Sequence, residues 1–177
     1  MIKEFSAHAK SSNKKARYIF FACLGSTIIM TLVYMLAWKF KGLIGLVDTI
    51  FITATIYIYN RYMGTEYFYD VTFDHMGAPV FLVRHRIGKR ETTMCRIDLD
   101  AVVNVEKMPA EKRKSYKPDS GVIKYSYYPT MSPDTLYLMT VRSHTEKADV
   151  FIEISDEMAD LLLSYSMEAR SENDNTL

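Results

Sequence analysis

Along the first sixty residues the apolar positions run together, and after Glu66 they alternate. Residues 18–37 are twenty consecutive positions without a charge, rich in Ile, Leu, Phe and Met. At about 1.5 Å per residue, a helix of that length crosses the roughly 30 Å hydrocarbon core of a bilayer. The run is longer than the apolar core of a secretory signal and leads into Ala37-Trp38-Lys39, not into a small-residue cleavage site, so it reads as a membrane span. A second run, residues 43–59, is shorter and carries Asp48. Only residues 38–42 separate the two, and so short a connection places both helices side by side in one bilayer. The expected organisation is therefore a basic segment over 1–17, a transmembrane helix over 18–38 and another over 43–60. Trp38 falls where interfacial aromatics anchor a span, with Tyr18, Tyr57, Tyr59 and Tyr62 at the other surface. Small residues at Gly45, Thr49 and Thr53, and at Ala22 and Ser26, recur every four positions, a spacing that suits helix packing.

From Glu66 the period becomes two. Tyr67, Tyr69, Val71 and Phe73 alternate with Phe68, Asp70 and Thr72; Phe81, Val83 and Ile87 share a face of the next run; Thr93, Cys95, Ile97 and Leu99 share a face of a third. Such alternation marks half-buried strands. His75-Met76-Gly77 and Gly88-Lys89 supply the turns, the glycine accepting positive φ. Residues 102–106 read as a fourth strand, followed by a charged, irregular loop over 107–120 with Pro109, Pro118 and Gly121 as breakers. Strand-like runs at 122–128, 135–142 and 148–154 make seven. Ser155 then suits a helix N-cap, with Asp156 and Glu157 in the first turn. Met158, Leu161, Leu162 and Tyr165 form one apolar stripe of a helix ending near Glu168. The expected domain covers 66–168, and 169–177 reads as a disordered tail.

Charge is divided along the same line. Residues 1–60 are net about plus five and residues 61–177 about minus four. An acidic domain lacks the basic stripe that displaces counterions from phosphate, so nucleic acid is excluded as a partner. Lys10, Lys14, Lys15, Arg17 and Arg61 flank one side of the hairpin against Lys39 and Lys41 on the other. The positive-inside rule then places the chain in the cell membrane as a multi-pass protein with both termini in the cytosol. Cys23 and Cys95 read as small buried hydrophobes, suited to a reducing compartment. Asp48 is the polar residue within the membrane segment. Its expected role is to reach water or a lysine near the Lys39/Lys41 surface, a proton or ion pathway being the alternative.

Seven short strands followed by one amphipathic helix is the element order of the pleckstrin-homology (PH) superfold. With two spans in front, Tyr69-Asp70-Val71-Thr72-Phe73, the hairpin through Gly88, and Ile97-Asp98-Leu99-Asp100-Ala101-Val102-Val103-Asn104-Val105, the chain resembles the bacterial membrane-anchored PH-like domain proteins. Those proteins carry a Tyr-x-Val/Leu-Thr strand, a glycine turn and an Ile-x-x-Val segment. The chain is also similar to small two-span proteins of clostridial type. The resemblance implies a membrane α-helical hairpin plus a mainly β PH-like domain, with about seven antiparallel strands in a barrel or sandwich and one C-terminal helix. Inositide-binding PH domains place their basic motif around the first hairpin, where this chain has His75-Met76-Gly77 without a base.

No phosphate loop, nucleophile elbow, His-Glu-x-x-His or Cys-x-x-Cys occurs. No enzyme activity, metal or cofactor is expected. His8, His75, His85 and His144 have no ligand-spaced partner and read as surface residues. Asp98 and Asp100 read as solvated carboxylates on one face at a strand end. Two basic clusters remain: Arg84, Arg86, Lys89 and Arg90 around the second hairpin, and Lys112, Arg113, Lys114 and Lys117 in the long loop. Facing an inner leaflet, each base would contribute about 1 kcal/mol toward anionic lipid; alternatively they form a solvated edge balanced by Glu91, Glu106 and Glu111. Tyr125, Tyr127, Tyr128 and Tyr137 offer a partner surface or pack the domain. The expected function is a non-catalytic, membrane-tethered interaction or scaffold module that binds a protein partner or a second copy. An anionic-lipid or envelope-stress sensor is the alternative, and a membrane enzyme a third reading.

Overall fold

The computed structural model describes residues 5–9, 13–36, 39–143 and 146–174. Trp38 and His144 lie outside these, as does the side chain of Lys114. The chain divides into a helical unit and a β unit.

The helical unit contains α1 (Lys14–Leu36) and α2 (Lys41–Ile58), the latter continued by a π-helical turn over Tyr59–Met63. Both are long and apolar enough to cross a membrane. Ile28, Ile29, Leu32, Leu46 and Ile50 are exposed, so these apolar faces are covered by none of the described residues. α1 begins four residues before the expected span because Lys14, Lys15 and Arg17 are themselves helical. Phe40 turns the chain between the helices at φ 66°, a left-handed conformation that costs a residue with a Cβ about 1–2 kcal/mol. The helices pack against one another, and at Gly45 an added Cβ would meet the Tyr34 ring at 3.3 Å. A small residue there permits the close approach. Thr49 and Thr53 instead donate to the carbonyls four residues earlier in their own helix. Asp48 faces α1. Its Oδ2 accepts from Thr31 Oγ1 at 3.0 Å across the hairpin, and its Oδ1 has no hydrogen-bond partner among the described residues.

Among the described residues the β unit has eight strands in two four-stranded sheets. The first has the order β1-β2-β3-β4, from β1 (Phe5–Ala9), β2 (Thr65–Phe73), β3 (Pro79–Ile87) and β4 (Arg90–Asp98). A 3-10 turn over Leu99–Ala101 leads into β5 (Val102–Lys107), followed by a short helix α3 (Ala110–Ser115). β6 (Ile123–Tyr127), β7 (Tyr137–Arg142) and β8 (Lys147–Ile152) complete the second sheet, in the order β5-β7-β8-β6. α4 (Asp156–Asp174) closes the chain.

The inner faces supply one core. Tyr69, Val71, Phe81 and Val83 come from the first sheet, Met139, Val150 and Ile152 from the second, and Met158 and Leu162 from α4. Burying each large side chain contributes about 1.5–3 kcal/mol, which is what selects the alternation in the sequence. Tyr69 also ties the sheets together: its hydroxyl donates to the Tyr127 carbonyl at 2.6 Å and accepts from the Glu153 N–H at 3.4 Å. A second cluster, Met108, Leu136, Leu138 and Phe151, lies under the 107–120 segment. That segment is therefore not a free loop. Tyr116 stands edge-on to Phe151 with centroids 5.2 Å apart, and its hydroxyl donates to the buried carboxylate of Asp149.

Four expectations are corrected. The segment over 1–17 supplies a strand, β1, which pairs antiparallel with β2 from Phe5↔Val71 to Ala9↔Tyr67, so eight strands replace seven. β6 pairs parallel with β8, so the sheets are not wholly antiparallel. α4 runs on to Asp174, well into the expected tail over 169–177, its later turns carrying the buried Ala169. Thr93 and Cys95 do not share a face, for a reason that shapes the site below. The turns follow the sequence: Gly77 and Gly88 sit at φ 85° and 60°, and Asp74 Oδ1 accepts from the N–H groups of Met76 and Ala78. Ser155 caps α4, its Oγ accepting from the Met158 N–H at 3.3 Å.

Candidate functional site

β4 is the last strand of the first sheet and β6 the last of the second, so among the described residues each has one edge without a strand partner. β4 is also irregular. Val83 lies opposite Cys95 and Arg84 opposite Thr93, which leaves Met94 as an extra residue in β4. A bulge of this kind bends the strand and breaks its alternation. Cys95 consequently points inward with Val83, and Thr93 outward with Arg84.

Where β4 bends, a cleft of about 790 Å³ opens between Met94–Asp98 and the second sheet. That volume lies within the 300–1,000 Å³ range of ordinary ligand sites. Ile97, Ala101, Val141, Ala148 and Val150 contribute its apolar lining. Tyr125 and Tyr127, two apart on β6, stack with centroids 5.9 Å apart and planes at 7°. The Tyr125 hydroxyl donates to Glu146 Oε1 at 3.0 Å, and the Tyr127 hydroxyl shares a hydrogen bond with Cys95. Burial pushes the Cys95 thiol up, and burial followed by the neighbouring Cys95 and Tyr125 pushes the Tyr127 hydroxyl up to about 12. The hydrogen bond to Glu146 raises Tyr125 as well. At neutral pH these three side chains are neutral hydrogen-bonding groups, neither thiolate nor phenolate.

The charge of the cleft is acidic. Asp98, Asp100 and Glu146 line it, against Arg96 and Arg142. Arg142 is committed elsewhere, its Nη1 donating to the carbonyls of Val141 and Ala148 and to the buried Asp149 carboxylate at 3.1 Å. Arg96 lies 3.4 Å from Asp98 and 3.9 Å from Asp74. Asp98 and Asp100 are both exposed, but Asp100 belongs to the 3-10 turn and not to the face of β4.

Within each basic cluster some bases are paired and others exposed. Arg84 is bound by Asp70 at 2.6 Å and by Glu91, and this pairing raises its pKa. Arg86 is bound by Glu66 and lies over the Phe68 ring at 4.9 Å. Lys89 and Arg90 are exposed at the β3–β4 turn beside the exposed Ile87. Arg113 donates to the Pro133 carbonyl at 2.7 Å, which binds α3 to the following loop, while Lys112 and Lys117 are exposed. Of the four tyrosines, Tyr137 is buried with its hydroxyl on Asp156 at 2.5 Å, and Tyr125, Tyr127 and Tyr128 are half-buried. His75 is exposed in its turn, and His85 is half-buried beside Tyr67. Among the described residues no group of three or more His, Cys, Asp and Glu side chains is placed to hold a metal ion.

Sequence reasoning missed the cleft because it is a property of pairing. Cys95, Tyr125, Tyr127 and Glu146 meet only through the β4 bulge and the parallel β6–β8 pair. The described residues define a class by architecture: two apolar helices joined to a mainly β unit with a C-terminal helix. No protein-family model, curated protein or solved structure matches the chain.

Proposed function

We propose that this chain is a membrane-anchored, non-catalytic interaction module, with a PH-like β domain held at the cytosolic face of the membrane by a two-helix hairpin. The observation that carries this reading is the position of the helices inside the β unit's own sequence. β1 precedes α1 and β2 follows α2, yet the two strands are neighbours in one sheet. A chain crossing a membrane once between them could not pair them, whereas two crossings return it to the side it left. The uncovered apolar faces of α1 and α2 then find their solvent in lipid. The bases flanking the same ends support the cytosolic side.

Strands followed by a C-terminal helix support the PH-like reading; β1 and the parallel β6–β8 pair depart from an all-antiparallel, seven-stranded barrel. That Cys95, Tyr125 and Tyr127 are neutral hydrogen-bonding groups supports binding over catalysis. The engagement of Arg84 and Arg86 by carboxylates favours a protein partner over anionic lipid. The test is purification of the full chain in mild detergent after crosslinking in cells. A stoichiometric protein partner or a homo-oligomer is expected. An uncrosslinked monomer would count against the reading, and binding to nanodiscs that rises with anionic lipid and vanishes in Lys89→Gln/Arg90→Gln would favour the lipid sensor.

A further inference from the structure

We propose that the cleft beside β4 seats a short extended peptide bearing lysine or arginine, added as a strand along the open β4 edge. The inference rests on the interaction-module reading and names the partner chemistry of that site. Three independent features converge on it.

The first is the edge. β4 ends its sheet, so the outward N–H and C=O groups along it have no strand partner, and an unpaired edge is a template for another extended chain. Natural edges are blunted by proline, by shortness, by charged side chains or by a bulge, and of these Met94–Asp98 carries two charges, Arg96 and Asp98, that pair with each other. β4 is nine residues long without proline, and its one bulge falls at Met94, leaving Cys95–Asp98 regularly paired with β3 on the other side. Met94–Asp98 is the part that lines the cleft, and at about 3.3 Å per residue it offers about 16 Å of edge, enough for five residues of a guest strand.

The second is the floor. Side chains of an added strand alternate, so one set would face the second sheet. There Val141, Ala148 and Val150 lie beside Ile97 as buried core residues, so the floor is closely packed and leaves only a shallow apolar face. A guest with short, β-branched residues at every second position meets that face better than one with large side chains. The third is charge. With Arg142 held by Asp149, the carboxylates of Asp98, Asp100 and Glu146 outnumber Arg96. An acidic guest would meet like charge, which selects against it.

The test uses the full chain in nanodiscs of zwitterionic lipid and fluorescent heptapeptide pools, read by anisotropy. One pool alternates Val, Ile or Thr with Lys or Arg, and a second alternates the same apolar set with Asp or Glu. Two further pools repeat the first with every second backbone amide N-methylated, in one frame or the other. The basic pool is expected to bind at least tenfold more tightly than the acidic one. One N-methylated frame should abolish binding and the other retain it, because only alternate amides face a strand edge. The Asp98→Asn/Asp100→Asn/Glu146→Gln variant should lose at least tenfold. Equal binding of basic and acidic pools, no binding of any pool, or equal binding of both N-methylated frames would overturn the proposal, the last showing a site for cations and not for a strand. If the peptide test fails while the triple variant still co-purifies with the same partner as the parent chain, the cleft proposal falls and the interaction-module reading stands.

Discussion

Asp149 shows how much a single residue carries when its surroundings are dry. It is 2% exposed, receives the Tyr116 hydroxyl and holds Arg142 at 3.1 Å. Removing one partner of a buried ion pair leaves the other charge uncompensated, at about 3–5 kcal/mol when both are fully dry. Arg142 retains some access to water, so Asp149→Ala is expected to destabilise by about 2–3 kcal/mol in urea melts. Asp149→Asn keeps an acceptor for Tyr116 and should cost less; equal losses would show that the charge facing Arg142, and not the acceptor for Tyr116, carries the whole effect. A second residue-scale expectation concerns acid. Asp74 is held below the usual carboxylate range by the backbone N–H groups of Ala78 and Met76, and Asp156 by the Tyr137 hydroxyl and Lys107. Both folded values lie below the unfolded ones, so their contribution is full above the ordinary carboxylate range and is lost as pH falls through the folded values. Melting temperature should hold between about pH 7 and pH 5 and fall below about pH 4, less steeply in Asp74→Asn/Asp156→Asn. At this scale the sequence announced Asp74's turn through His75-Met76-Gly77, but nothing local announced Asp149, which shares its run with strand residues and gains its partners from β7 and the 107–120 segment.

At the scale of elements, the long periodic stretches were legible. The apolar runs became α1 and α2, the alternating stretches became strands, and the stripe from Met158 to Tyr165 became the buried side of α4. What escaped was non-local. β1 is Phe-Ser-Ala-His-Ala, too short and too weakly apolar to declare itself, and it is a strand because β2 offers it an edge. The parallel β6–β8 pairing requires β7 to lie on the other side of β8, an arrangement no window of sequence contains. α3 forms where charge and proline suggested irregular chain. The importance of β1 is testable by hydrogen exchange. Removing residues 1–10 should speed exchange of backbone amides within residues 67–71 while leaving those of β8 protected, since β8 keeps both its neighbours. Unchanged protection in β2 would mean that β1 contributes nothing to the sheet.

For the whole molecule, two helices long and apolar enough to cross a membrane lie within the sequence of the β unit, between β1 and β2. Composition made the division visible, because the positive charge and the long apolar runs both lie in the first sixty residues. The β1–β2 pairing adds the constraint that both ends of the hairpin emerge together. The measurement that tests this most directly is cysteine accessibility in intact bacterial cells expressing the full chain, with Cys23 and Cys95 replaced by alanine. Gly42→Cys, at the start of α2, is expected to react with an impermeant maleimide in intact cells, and Ser120→Cys, in the exposed turn before β6, only after lysis. Labelling of Ser120→Cys in intact cells, or protection of both positions until lysis, would contradict a cytosolic β domain tethered by a membrane-crossing hairpin.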